Sequence, residues 1–324
     1  MLALVASYDV IDSHTAGHPT RVILSGLPPL QGRNVAEKRD FFREFHDRLR
    51  PALLHEPAGH AAMVGLVPVA SEHADFGAFF ISSYIYLDMC GHAVIGYAKT
   101  LASTGSIAPP RDKITLETPA GIVTAHLFWS EDGALASVRL HNVASYAGMQ
   151  DVVVDVPGVG RVHADLAFGG IWYAIVDAAT LDLRLEPDSV SRALNVGSAI
   201  KSAVTAHLRE LGDDTQPSVL LYQTIDRLRA RHLVVLASNK FDRSPCGTGT
   251  SARLALLAAQ VRIDERDTYI AESINGVAFT ARIAGRSGNP TGIIPEIEGT
   301  AHISAFSTIV KERTDPLSGG FLCR

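Results

Sequence analysis

The feature that most constrains this chain is that it uses one unit twice. Cys90 and Cys246 each open a glycine-bearing, helix-like stretch, CGHAVIGYAKTLA and CGTGTSARLALLA, and they lie 156 residues apart in a chain of 324. Sliding the sequence on itself by that distance pairs Phe79-Phe80-Ile81-Ser82 with Val235-Leu236-Ala237-Ser238. Each half therefore presents an apolar strand, a connection of seven residues and then Cys-Gly. Identity around these blocks is thin, so the duplication rests on the order of elements.

Alternating apolar runs predict strands at 20–26, 64–69, 76–86, 114–128 and 135–143, and at 152–156, 162–168, 171–177, 218–223 and 232–238. A helix is predicted over 34–50, with Asn34 as N-cap, Glu37 three residues on, and Phe41, Phe42, Phe45 and Leu49 at helical spacing. Its counterpart is 188–211. Both cysteine helices are apolar and small all round, as expected of helices enclosed by other structure. The fold class read from this pattern is α/β (α+β), with each half made of strands wrapped round a central helix; if the two halves face each other, the helix starts converge on one cleft. The seam falls around Asp151 and Pro157, giving a first domain over 1–153, completed by 308–324, and a second over 154–307.

A net charge of −5, with no long Lys/Arg block, gives no electrostatic reason to expect nucleic acid as a partner. The start lacks a basic leader and no stretch approaches the length of a membrane span, so a cytoplasmic location and no membrane association are expected. Three cysteines cannot complete a disulfide framework, and Cys323, next to the last residue, reads as a bystander.

A thiol at the first turn of a helix faces unpaired backbone N–H groups and the positive end of the helix dipole, which lower its pKa from about 8.5 towards neutrality. The same N–H groups favour a carboxylate, and the glycine after each cysteine lets a ligand approach the backbone. Two such thiols facing one carbon suit two-base inversion: one removes the α-proton and the other protonates the opposite face. That chemistry requires no cofactor. The halves differ where asymmetric recognition is needed, since His92 aligns with Thr248 and Tyr86 with Asp242. Asp242 is placed to bind a substrate ammonium, with His92 joining it.

Other candidates read more plainly. Cys90 with His92 falls short of structural zinc spacing, and no Cys-x-x-Cys occurs. His14, His18 and His60 lie in polar turn-forming segments, where turn or cap hydrogen bonding is expected. Lys99 and Lys240 read as solvated charge. Gly169-Gly170 marks a bend or a close backbone approach between two strands.

DSHTAGHPTRV (12–22), MCGHAVIG (89–96), LAFGGIWYA (166–174), DRSPCGTGTSAR (242–253) and IIPEIEGTAHISAF (293–306) together resemble the proline racemase family, which includes 4-hydroxyproline 2-epimerases and trans-3-hydroxy-L-proline dehydratases. The resemblance implies the diaminopimelate-epimerase-like fold of two pseudo-symmetric domains with the active site in the cleft between them, a cofactor-independent isomerase and, commonly, a homodimer. It implies Cys90 and Cys246 as the catalytic bases, Gly91, His92, Gly247 and Thr248 as substrate-binding positions, and Asp242 as the partner of the ring nitrogen. No metal site is implied.

Dehydratase members usually carry Thr at the position of Cys246, so Cys246 favours a racemase or epimerase of proline or 4-hydroxyproline, a small imino acid. Trans-3-hydroxy-L-proline dehydratase is the alternative, and an amino-acid-binding module without chemistry is the reading outside catalysis. The chain departs from the family pattern at Ala58, where Arg is common, and at Ala62, where an acidic residue is common, which bears on the hydrogen bonding of His60. Val64 stands near where proline racemases place an aromatic wall and points to a roomier pocket.

Overall fold

The computed structural model describes residues 4–236, 239–288 and 291–323. It divides into two compact units, Met1–Leu140 with Thr300–Arg324, and His141–Gly299. In the first, β1 (Leu4–Thr15) turns through Ala16-Gly17 into the antiparallel β2 (His18–Ile23). Helices α1 (Val35–Phe45) and α2 (Leu49–Leu54) lead to β3 (Val64–Val69), parallel to β2, and to β4 (Phe76–Ser82), antiparallel to β3. The short β5 (Tyr86–Leu87) doubles back on β4 and delivers the chain into α3 (Gly91–Ser103). β6 (Lys113–Thr118) runs parallel to β4, and β7 (Gly121–Trp129) and β8 (Leu135–His141) follow as an antiparallel meander.

The second unit repeats that order. After β9 (Tyr146–Ala147) and β10 (Val152–Val156) come the hairpin β11 (Gly160–Phe168) and β12 (Trp172–Asp177), then helix α4 (Val190–Glu210). β13 (Ser218–Asp226) is parallel to β12, β14 (Arg229–Val235) antiparallel to β13, and β15 (Phe241–Asp242) delivers the chain into α5 (Gly247–Ala259). β16 (Tyr269–Ser273), parallel to β14, leads into β17 (Ala278–Gly288) and β18 (Thr291–Gly299). The offset of 156 carries both ends of α3 onto those of α5, and the first residues of β6 and β8 onto those of β16 and β18. Finally β19 (Ala301–Glu312) pairs antiparallel with β1, Thr15 opposite Ala301 and Leu4 opposite Glu312.

The cysteine helices are the interior of their units. α3 buries an unbroken run from Ala93 to Ala98, and α5 one from Gly249 to Leu257. Small residues are required there because the strands come close. A Cβ on Gly96 would lie 2.9 Å from Ser13 Oγ, and one on Gly249 would lie 3.0 Å from Leu220 Cδ1. Enclosure rather than amphipathicity thus holds both helices, as their composition requires.

Several expectations are adjusted. The segment 34–50 is two helices: Asn34 caps α1 through Glu37 N at 2.8 Å, but α1 ends at His46 and a second helix begins at Leu49, which puts Pro51 in a first turn, where its missing N–H is not needed, rather than in a helix interior. Of the three phenylalanines, Phe42 is fully buried and Phe45 is 56% exposed. The strand read at 114–128 is a hairpin turning at Pro119-Ala120, and 76–86 breaks after Ser82. Of the strand read at 232–238, Ala237 and Ser238 lie outside the described residues. β1, β16, β17 and β18 are strands that the alternation does not predict. The units divide at Leu140/His141 and Gly299/Thr300, where the sequence puts the boundary at 153/154 and the return at 308. The reason is pairing: Asn142 N donates to Pro295 O at 2.8 Å and Ser145 bridges Ile293, while β19 joins β1 from its first residue.

Candidate active site

Cys90 occupies the N-cap of α3 with extended backbone (φ −148°, ψ 102°) and is 9% exposed. Its Sγ lies 3.2 Å from His92 Nδ1. The first turn is pinned by Thr15 Oγ1, which donates to the His92 carbonyl at 2.8 Å, and the His92 ring packs edge-on against His18, centroids 4.4 Å apart. The thiol of this unit is therefore partnered by an imidazole, and that imidazole by a second. Among the described residues, and apart from its chain neighbours and its own helix, a Cβ on Gly91 would meet only Leu140 Cδ1, at 3.8 Å, so the backbone beside Cys90 is open.

Cys246 holds the matching N-cap of α5, but with φ +66°, a left-handed conformation that non-glycine residues adopt at a cost. It caps its own helix: Gly249 N donates to Sγ at 3.4 Å. Two hydroxyls complete its surroundings, Tyr173 at 3.3 Å and Thr248 at 3.5 Å, and these are 2.7 Å from each other. Behind it, Asp242 Oδ1 accepts from both the N–H and the hydroxyl of Ser244 at 2.8 Å, and Ser244 Oγ accepts from Cys246 N at 3.1 Å. Among the described residues, nothing apart from its chain neighbours and its own helix lies within 4 Å of where a Cβ on Gly247 would be.

The electrostatics of Cys246 differ from the sequence-based expectation. Burial, followed by the charge of Asp242, pushes its thiol up to about 12, and the hydrogen bonds from Thr248, Tyr173 and Gly249 offset only part of that rise. The helix terminus does not prevail here because Cys246 is buried, 5% exposed, and a carboxylate stands on the preceding strand. Tyr173, fully buried beside it, is raised well above 10, first by burial and then by the cysteine, and stays protonated.

Of the seven residues singled out from the sequence, six fall at these two helix starts, Cys90, Gly91 and His92 in the first unit and Cys246, Gly247 and Thr248 in the second, and Asp242 ends the short strand that leads into α5. Sequence reasoning missed Ser244, Tyr173 and His18 as parts of them. Ser244 sits in plain view between Asp242 and Cys246, whereas Tyr173 is 73 residues from Cys246 and offers no local signal. Gly169-Gly170 is a close approach, but to α5 rather than to a strand: a Cβ on Gly169 would run into the carbonyl of Thr248 and lie 2.6 Å from Ala252 N. Gly170 takes φ +113° in the turn that aims β12, and with it Tyr173.

Elsewhere, Gly17 N donates to His14 Nδ1 at 3.3 Å and Ala62 N to His60 Nδ1 at 3.2 Å, the turn bonding expected of these histidines. Ala58 contributes its carbonyl, which accepts from the buried Arg21 at 2.7 Å. Lys99 Nζ donates to Leu135 O at 2.9 Å, and Cys323 is an exposed free cysteine. Among the described residues no three His, Cys, Asp or Glu side chains cluster as a metal site would require, and no helix is long and apolar enough to cross a membrane.

The pattern of the family described as "Proline racemase" matches residues 10–322. This chain belongs to the proline racemase family. It is 42% identical over 315 residues to a protein of Pseudomonas putida named 4-hydroxyproline 2-epimerase, covering 96% of this chain and 98% of that one. It is 34% identical over 331 residues to a protein of Burkholderia cenocepacia named trans-3-hydroxy-L-proline dehydratase, covering 98% of each. Among solved structures it is similar to a hydroxyproline epimerase of Agrobacterium vitis with bound trans-4-hydroxy-L-proline, with a TM-score of 0.83, 27% identity, and 98% and 96% of the two chains covered. The mixed α/β architecture is thus that of the hydroxyproline epimerases, and the same fold extends to more distant PhzF-family proteins.

Proposed function

We propose that this protein is a cofactor-independent isomerase that inverts the α-carbon of proline or 4-hydroxyproline with Cys90 and Cys246 as its two acid/base groups. The observation that carries this reading is that matched helices in the two units each begin with a buried thiol followed by glycine. Kinship with a 4-hydroxyproline 2-epimerase at 42% identity supports it.

In this mechanism one cysteine, as thiolate, takes the α-proton; the C–H electron pair stays on carbon, and the other cysteine, as thiol, supplies a proton to the opposite face. First-turn N–H groups at Gly91–His92 and Gly247–Thr248 receive the carboxylate as negative charge develops on it. Asp242 receives the ring ammonium. That pairing has a further effect, because a cation beside Asp242 cancels one of the two causes that hold the Cys246 thiol up. Substrate binding itself therefore eases the deprotonation of Cys246. We place the enzyme in the cytoplasm as a homodimer, with a small imino acid and no nucleic acid as its partner.

The test is proton NMR of L-proline, trans-4-hydroxy-L-proline and trans-3-hydroxy-L-proline in D₂O with purified protein, followed by chiral chromatography. Loss of the α-proton signal with appearance of the C2-inverted product from either of the first two supports the proposal. A second reading, dehydration of trans-3-hydroxy-L-proline with Cys90 as sole base, draws on the kinship at 34% and on a Cys246 that rests as thiol. Consumption of the third compound alone, without an epimer, would select it.

A further inference from the structure

The second unit holds a hydroxyl on the sulfur of Cys246 that no part of the two-cysteine scheme uses. The Tyr173 ring is fully buried in a small apolar cluster with Ile175, Leu220, Val234 and Ala252, and only its hydroxyl is polar. A buried phenol needs a hydrogen-bond partner, and Thr248 at 2.7 Å would suffice for that. Yet the oxygen also lies 3.3 Å from Cys246 Sγ, closer than the Thr248 hydroxyl at 3.5 Å.

Proton counting shows what this triangle can do. Two hydroxyls carry two protons, and one is consumed in the bond between them. If Thr248 donates to Tyr173, the phenol proton is left for Sγ; if Tyr173 donates to Thr248, the Thr248 proton is. Either way one O–H reaches the sulfur, and with Gly249 N–H a thiolate there would have two donors. A thiol instead offers its own proton to the pair, so the hydroxyls can rotate as Cys246 changes from acid to base.

We propose that Tyr173, paired with Thr248, is the hydrogen-bond donor that stabilises Cys246 as thiolate in the step where it takes the α-proton, an inference that rests on the function proposed above. In that step the α-C–H bond breaks, S–H forms on Cys246, the electron pair remains on carbon, and the proton from Cys90 completes the opposite face. The phenol moves no proton to substrate. It stays protonated because burial holds its own pKa well above 10. The two thiols are thereby supported differently, Cys90 by the imidazole of His92 at 3.2 Å and Cys246 by hydroxyls, so the Tyr173 oxygen should matter to Cys246 alone.

Tyr173→Phe removes that oxygen and nothing else. In the full chain without substrate, iodoacetamide alkylation at pH 9 followed by peptide mass spectrometry is expected to slow at Cys246 by about 3- to 10-fold relative to Cys90 in the same digest. The fall is smaller than the loss of thiolate because a more basic thiolate is more nucleophilic. For an imino acid that the wild type turns over, kcat/KM is expected to fall by about 10- to 100-fold, the range for losing a hydrogen bond to a charged group. It should fall equally in both directions, since the equilibrium fixes their ratio. Unchanged or faster alkylation of Cys246 overturns the proposal, because a purely structural tyrosine would not move that ratio downward. Alkylation needs no turnover, so the result stands apart from failure of the wild type to exchange an α-proton. Should Tyr173→Phe not fold, biosynthetic replacement of tyrosine by 3-fluorotyrosine makes the phenol a stronger donor; Cys246 alkylation is then expected to rise relative to Cys90, and no rise overturns the proposal.

Discussion

Iodoacetamide also tests the electrostatics of Cys246 in the unaltered protein. At pH 8 an ordinary cysteine, with a pKa of about 8.5, is roughly a quarter thiolate. With its pKa pushed up to about 12, Cys246 is thiolate only about once in ten thousand. The ratio is on the order of 2,000, and the higher intrinsic nucleophilicity of a more basic thiolate recovers about 40-fold of it. Alkylation of Cys246 in the ligand-free protein is therefore expected to be about 50-fold slower than that of a cysteine in an unstructured peptide, and burial slows it further. Time-resolved peptide mass spectrometry at pH 8 reads this directly. Adding a substrate that places a cation beside Asp242 shields the thiol sterically, so the electrostatic half is tested with Asp242→Asn, which should speed Cys246 alkylation in the free protein. Cys246 reacting as fast as the peptide would mean that the helix terminus sets its pKa, and would refute the dominance of burial and the Asp242 charge at this sulfur.

Three further expectations concern stability. The folded chain holds Cys246 neutral up to about 12, whereas the unfolded chain ionises it near 8.5. The stabilisation is complete below pH 8.5 and is lost as pH rises towards 12, at about 1.4 kcal/mol per unit; urea titrations from pH 8 to 10 should show a shallower decline for Cys246→Ala. His232, bonded to Tyr269 at 2.8 Å and depressed to about 3 by burial, acts at the other end. Its contribution is present above pH 6.5 and lost as pH falls towards 3, so His232→Gln should flatten the acid limb of the same titration. Gly169→Ala should destabilise by about 1–3 kcal/mol through overpacking against α5, while Gly285→Ala, where nothing lies within 4 Å of the added carbon, should change stability by about 0.5 kcal/mol or less, both read by thermal melts.

What the sequence revealed and what it concealed follow from the range of the interactions. The cysteine helices were legible because enclosure demands small apolar residues all round, and that composition is written locally in Ala93–Ala98 and Ala252–Ala259. β1 was not, because Asp9 and Asp12 interrupt its apolar pattern. Both are satisfied by distant partners, Asp12 by Arg21 at 2.7 Å and Asp9 by Thr308 at 2.7 Å, which no local reading supplies. The site divides the same way. Asp242, Gly247 and Thr248 lie within four residues of Cys246 and were read with it, whereas Tyr173 arrives on a strand from another part of the unit. The raised thiol of Cys246 was hidden because burial and the Asp242 charge together outweigh a dipole that is visible from the sequence alone.

Each of the two sulfurs proposed as acid/base groups sits at the tip of the helix that forms the centre of its unit. A change that displaced either sulfur would have to shift packed core, whereas catalytic groups are disproportionately carried on surface loops. Under the proposed function, descendants of such a scaffold can remodel the exposed connections around the substrate and so exchange one imino acid for another while the two thiols stay where the interior holds them. Breadth of specificity and constancy of chemistry are then inherited separately, and attempts to redesign this protein should alter its connections and leave the two helix tips alone.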